Sequence, residues 1–241
     1  MHRDASEAPH PRRLSQDPVA DPEARPWPAR APLEARFARL EPLDLAQHGD
    51  DLWAAAQIDD PARWRYLPYG PYDRRVDFDA HLARCAQGRD PMFFAIRTKG
   101  GPATGVASYL EIAPEHGIIE VGHIWLGPGL ARTRTATDAL ALMFDHAIDT
   151  LGYRRMQWKC DAMNAASRAA ARRLGFLYEG TLFAHRIVKG RNRDTAYYSI
   201  LAEEWPAIKA LIDRWLEEAD DDGRPTHALS TAMAARPIPE R

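Results

Sequence analysis

Residues 127–137 read Gly-Pro-Gly-Leu-Ala-Arg-Thr-Arg-Thr-Ala-Thr. Two arginines, Arg132 and Arg134, and the hydroxyls of Thr133, Thr135 and Thr137 are crowded together there. Apolar residues then recur at helical spacing through Ala136, Leu140, Met143, Phe144, Ala147 and Leu151, and Gly152 follows as the expected stop. The polar cluster therefore sits at the amino end of a helix entered from a Gly127-Pro128-Gly129 turn. The first N–H groups of a helix lack internal partners and carry the positive end of its dipole, so such ends hold phosphates. Arginine there opposes the dipole, which a bound anion explains better than helix stability does. The plainer alternative is a surface helix with arginines near its start.

Four other groups could do chemistry. Glu120 lies on a strand reading Ile118–Leu126, with Gly122 and Ile124 as its alternation partners. A carboxylate on a buried strand needs a task or a partner, and a salt-bridged or surface-facing Glu is the alternative. His123 would face away from Glu120 and Gly122 in a regular strand, and a bulge would change that. It ionises near neutral pH, as a proton shuttle must, although a satisfied core histidine is the simpler reading. Asn164 and Ser167 open a short helix closed by Gly175, and N-capping would account for either. Asp161 is a second candidate carboxylate. Lys189, Arg191, Arg193 and Asp194 flank a tight turn and read more simply as its bracket than as a guide for an acidic acceptor.

These residues need a scaffold. A first strand at Arg36–Glu41 precedes a helix capped by Asp44 and running to about Gln57. Residues 59–72 form a loop rich in proline and aromatics; Trp64, Tyr66 and Tyr69 either line a cleft or pack over the core. A helix over 74–88 follows. Three strands, Met92–Arg97, Thr104–Ile112 and Ile118–Leu126, form an antiparallel meander. The phosphate-end helix leads to a strand at Arg154–Cys160, and this crossover spacing makes it parallel to Ile118–Leu126. The helix at Ser167–Leu174, strands at Leu177–Gly180, Leu182–Lys189 and Thr195–Leu201, and a helix over Glu203–Glu217 complete a mixed α+β sheet with helices on both faces. Residues 1–32 and 219–241 show no structural period and read as disordered arms around a domain at 33–218.

The formal net charge is −2, which gives no electrostatic reason for nucleic-acid or membrane-surface binding. The two cysteines, Cys85 and Cys160, form neither a disulfide framework nor a metal cluster, so no metal is expected. No apolar run approaches ~18 residues and no secretory h-region is visible, so the expected location is cytoplasmic. Hydrolase, metalloprotease and nucleotide-kinase motifs are absent from the sequence.

The element order and four phrases resemble the GNAT superfamily of acyl-CoA-dependent N-acetyltransferases, and within it the RimJ/RimL-type enzymes that acetylate protein N-termini. The phrases are Glu120–Leu126, residues 131–139, Asn164–Ser167 with Leu174-Gly175-Phe176, and Lys189–Asp194 with Tyr197-Tyr198-Ser199. Together they span about residues 33–205. The resemblance implies a mostly antiparallel sheet of about seven strands with a central parallel pair splayed for acyl-CoA. It implies acetyl-CoA as co-substrate and a primary amine as acceptor, with a homodimer left open. Glu120 becomes the base acting through water, with His123 as a further proton carrier. Ile124, Trp125 and Leu126 offer backbone to the pantetheine or the thioester oxygen. Ala131, Arg132, Thr133, Arg134, Thr135, Ala136 and Thr137 form the pyrophosphate loop. Asn164 bonds the pantetheine, and Ser167 protonates the departing sulfur. In the family the loop reads Gln/Arg-x-x-Gly-x-Gly/Ala; here Ala131, Arg134 and Ala136 stand at the three fixed positions, so Arg134 can bring charge where glycine would bring backbone. The rival functions are a catalytically silent acyl-CoA-binding module and an acetyltransferase of a polyamine, amino acid or aminoglycoside.

Overall fold

The structure, a computed structural model, describes residues 12, 15–58, 60–218 and 228–236. These form two compact units, one of residues 28–112 and 120–146, the other of residues up to 27, 113–119 and 147 onward.

The first unit is a sheet with helices. Strands β1 (Leu33–Glu34), β2 (Ala38–Pro42), β3 (Met92–Thr98) and β4 (Ala103–Ala113) pair antiparallel in that order, and β5 (Ile118–Leu126) follows β4. Strand β3 is buried from Met92 to Ile96 on both faces, as a near-continuous apolar run requires. Helix α1 (Leu45–Gln57) begins where the Asp44 carboxylate accepts from Gln47 N at 2.9 Å. Helix α2 (Arg75–Gln87) buries Phe78 and Leu82 and joins a core with Leu52, Phe93 and Trp125. Helix α3 (Arg134–Asp145) packs on β2 and β3 and ends in a π turn, His146–Thr150.

The second unit holds β6 (Arg155–Asp161), β7 (Leu177–Val188) and β8 (Arg191–Leu201) in the order β6-β8-β7, all antiparallel. The two strands expected at 177–180 and 182–189 are one strand with register shifts at Tyr178/Gly180 and Leu182/Arg186. Helix α4 (Ala165–Arg173) lies against β6 and β7. Gly175 closes it at φ +95°, and an added Cβ would stand 2.8 Å from Ile208 of α5 (Trp205–Glu217).

Of the arms expected to lack order, residues 1–11, 13–14, 219–227 and 237–241 lie outside the described residues. Residues 15–32 carry no helix or strand, yet Arg25 N donates to Pro114 O at 3.0 Å and Pro26 O accepts from the Tyr153 hydroxyl at 3.2 Å. Helix α6 (Leu229–Ala234) buries Leu229 and Met233 against α4 and α5. The sheet has eight strands against the about seven of the resemblance: merging 177–180 with 182–189 removes one of the eight read from sequence, and the two-residue β1, too short to show a period, adds one.

Candidate active site

The turn before α3 is built from backbone. Gly127 N donates to Thr104 O at 2.8 Å, while Gly127 O accepts from Leu130 N at 3.0 Å and Ala131 N at 2.9 Å. A side chain at 127 would collide with that same Thr104 oxygen, since its Cβ would lie 2.7 Å away. Arg132 takes a left-handed φ of +65° and is exposed. This strained conformation turns the chain into the helix. Thr133 is the N-cap: its hydroxyl accepts from Ala136 N at 3.1 Å and donates to Leu130 O at 2.7 Å. Thr135 is half-buried, and Ala136 and Thr137 are buried, so the cap and the core side of the first turn are fixed.

Arg134 has a partner that sequence spacing did not reveal. Its guanidinium lies 4.3 Å from the ring centre of Phe37, a cation–π contact that holds positive charge at the helix start. Phe37 is itself fixed by the buried Asp138 carboxylate, which accepts from Phe37 N at 2.6 Å and Ala38 N at 3.0 Å. Asp138 thus ties the first turns of α3 to β2.

Glu120 is 4 % exposed on β5. Two residues on, a Cβ at Gly122 would stand 3.4 Å from Glu120 Oε1 and 2.9 Å from Leu110, so Glu120 and Gly122 share the side of the sheet that Leu110 occupies. His123 has φ +51°, a break in the pleat. Its ring lies 5.1 Å from Phe93. Phe93 is opposite Ser108, and Leu110 is two residues beyond Ser108, so all three face the same way. The bulge therefore brings His123 to the side of Glu120, against the alternation of a regular strand. Trp125 follows on that side, stacked on Trp64 at 5.0 Å and 27°. Ile124 and Leu126 are half-buried.

That side of the sheet is lined by aromatics from the 64–72 loop and α2. Tyr69 stacks on His123 at 5.7 Å and 12°, and lies tilted against His81 at 4.1 Å and 39°. Burial, aided by Arg84 and His123, lowers His81 to about 4. Burial also pushes Tyr72 up to about 12, Cys85 up to about 11 and Tyr69 well above its usual value. At neutral pH these four groups are uncharged. Such surroundings favour a neutral amine over an ammonium.

In the second unit, Asn164 Oδ1 accepts from Ser167 N at 3.0 Å and caps α4. The cap uses the carbonyl oxygen and leaves the side-chain NH2 of Asn164 as donor chemistry. The Ser167 hydroxyl accepts from Trp158 Nε1 at 3.0 Å. Burial pushes the Cys160 thiol up to about 11, and a hydrogen bond with Ser167 pulls it the other way. Trp158 and Cys160, buried alternates of β6, thus hold Ser167, a role the sequence reading did not assign. Asp161 accepts from Met163 N at 2.8 Å and shapes the turn before α4.

Among the described residues there is no cluster of three metal-ligating side chains and no helix long and apolar enough to cross a membrane. Residues 39–177 match the family described as Acetyltransferase (GNAT) domain. A GCN5-related N-acetyltransferase from Brucella melitensis is 40% identical, with a TM-score of 0.86 over 88% of this chain and 98% of that one. A curated Bacillus subtilis protein whose name places it among ribosomal N-acetyltransferases is 28% identical over 109 residues; the match spans 45% of this chain and 59% of that protein, and fits the RimJ/RimL-like branch. The Microcin C7 self immunity acetyltransferase MccE, solved with acetyl-CoA and AMP, shares the fold at 21% identity and a TM-score of 0.61, over 68% of this chain and 92% of its own. With its α+β elements and its matched residues, the chain belongs to the GNAT acetyltransferase family.

Proposed function

We propose that the protein moves the acetyl group of acetyl-CoA to a primary amine, and that the amine is the N-terminus of a polypeptide. The observation that carries this reading is the bulge at His123, which puts a buried carboxylate, Glu120, and an imidazole on one aromatic side of the sheet. An amine entering there loses its proton readily, and Glu120 accepts it through water. The neutral nitrogen attacks the thioester carbonyl, a C–N bond forms, and the C–S bond breaks. The Ser167 hydroxyl proton goes to the departing sulfur and is replaced by the proton that the attacking nitrogen sheds as the amide forms, and Asn164 holds the pantetheine amide through its NH2. Backbone of Ile124, Trp125 and Leu126 accompanies the pantetheine. The capped, arginine-bearing start of α3, from Ala131 to Thr137, takes the pyrophosphate. Holding both substrates in one ternary complex supplies much of the rate.

A coupled thiol-release assay with a panel of peptides, polyamines and amino acids tests the reading. Peptide-dependent release is the expected result. Release only with small amines would move the acceptor to that class, and acetyl-CoA binding without turnover would leave a silent acyl-CoA module.

A further inference from the structure

Helix α6 and Arg236 lie outside residues 39–177, the part that matches the family, yet they close on an element inside it. Arg236 Nη2 donates to Gly175 O at 2.7 Å, and Nη1 donates to Met233 O at 3.3 Å. Gly175 closes α4, and Met233 lies in the last turn of α6. One guanidinium therefore sits between two helix C-termini, whose carbonyls carry the negative end of the dipole. Burial pulls Arg236 below its usual value and the Arg12 charge adds to this, while Glu204 opposes it. A cation kept there against desolvation needs partners, and the two helix ends supply them.

The end of α4 does not need Arg236 to close. Leu174 N, Gly175 N and Phe176 N already donate back to the Ala170, Arg172 and Ala171 oxygens. The further bond instead fixes where the buried Gly175 peptide stands, close against Ile208 of α5. Next in the chain, Phe176 is buried edge-on to Trp158, with ring centres 5.6 Å apart at 61°. Trp158 Nε1 is the donor to Ser167 Oγ at 3.0 Å. Arg236, Gly175, Phe176, Trp158 and Ser167 thus form one continuous line of contacts. Helix α4, nine residues long and so roughly 13 Å, joins the same two ends as a rigid piece.

We propose that Arg236 is a positioning residue for acetyl transfer, which through Gly175, Phe176 and Trp158 sets the place of the Ser167 hydroxyl. The proposal rests on the reading of Ser167 as the proton source for the departing sulfur.

Contact alone does not establish coupling, so the test is a double-mutant cycle in the full chain. It is read by the indole N–H signals in a nitrogen–proton correlation spectrum and by thiol release. Arg236→Ala is expected to shift the Trp158 signal, identified by its loss in Trp158→Phe, and to leave that of Trp53 in place. It should lower kcat by about fivefold while leaving the acceptor KM within about twofold. In a Ser167→Ala background the same change should alter kcat by less than about twofold, since Arg236 acts through Ser167. Arg236→Lys keeps a cation between the two helix ends and should regain most of the loss, which separates positioning from a failure to fold. An unmoved Trp158 signal, a kcat in Arg236→Ala within error of the wild type, an equal loss in both backgrounds, or Arg236→Lys no better than Arg236→Ala would each overturn the proposal alone. Undiminished kcat in Ser167→Ala would overturn the reading of Ser167, and the proposal with it.

Discussion

Glu120, His123 and His81 show how residue chemistry follows from burial. Glu120 is a carboxylate nearly out of water on the aromatic side of the sheet. Replacing it by Gln keeps size and packing but removes the proton acceptor. Glu120→Gln is therefore expected to lower kcat by about 100-fold or more while leaving acetyl-CoA affinity within a few-fold, measured by thiol release and calorimetry. A parallel fall in binding would mean that Glu120 serves structure instead. His81 makes a pH prediction. Its folded value, about 4, lies below the ordinary imidazole value of 6.5, so the unfolded chain binds the proton more readily. The contribution of His81 is fully present above about pH 6.5 and is lost as pH falls towards about 4. His146, also lowered by burial, works in the same direction. The melting temperature should fall from pH 7 to pH 5, and His81→Phe, which keeps the ring packing, should flatten that slope. An unchanged slope in the variant would show that His81 is not held neutral by the fold.

Helix α3 shows why elements were legible and their anchors were not. Its apolar period and the stop at Gly152 are local signals within one stretch of chain, as are Asp44 before α1 and Gly175 after α4. Arg134 on Phe37 and Asp138 on the Phe37 and Ala38 amides join residues about a hundred positions apart, and no local pattern reports them. The bulge at His123 was legible only as a conditional, because a positive φ at a residue other than glycine leaves no mark in the alternation. Likewise the hold of Trp158 and Cys160 on Ser167 emerged only in three dimensions. Asp138→Ala leaves two backbone donors without this acceptor and should cost about 1–3 kcal/mol. It should also raise the KM for acetyl-CoA, because the start of α3 loses its tie to β2. Thr133→Ala removes the cap alone and should cost about 1 kcal/mol. Urea unfolding with acetyl-CoA kinetics checks both, and a loss of stability with an unchanged KM in Asp138→Ala would detach α3 from cofactor binding.

At the scale of the whole molecule, segments outside the GNAT elements are fastened to the second unit by charge. The Arg12 guanidinium bonds both Glu204 oxygens, at 2.9 and 2.8 Å, and the Ser199 hydroxyl at 2.7 Å. Glu204 is buried and also accepts from Leu201 N at 3.0 Å. Arg12→Ala would leave a buried carboxylate short of its cation, and should lower unfolding free energy by about 3 kcal/mol in urea titration. A change within error would show that Arg12 is no anchor. At the other end, Arg236 donates to Gly175 O at 2.7 Å, so α6 reaches the close of the helix that begins at Asn164 and Ser167. The central claim, however, concerns chemistry: a GNAT chain whose bulged strand readies an amine for acetyl-CoA. The most direct measurement is the rate of thiol release from acetyl-CoA, with and without a peptide bearing a free N-terminus, in the wild type and in Glu120→Gln. The account predicts release that requires the free N-terminus, acetylated peptide in equal amount by mass spectrometry, and near-loss of both in the variant. Release that ignores the peptide, or persists at full rate in Glu120→Gln, would contradict it.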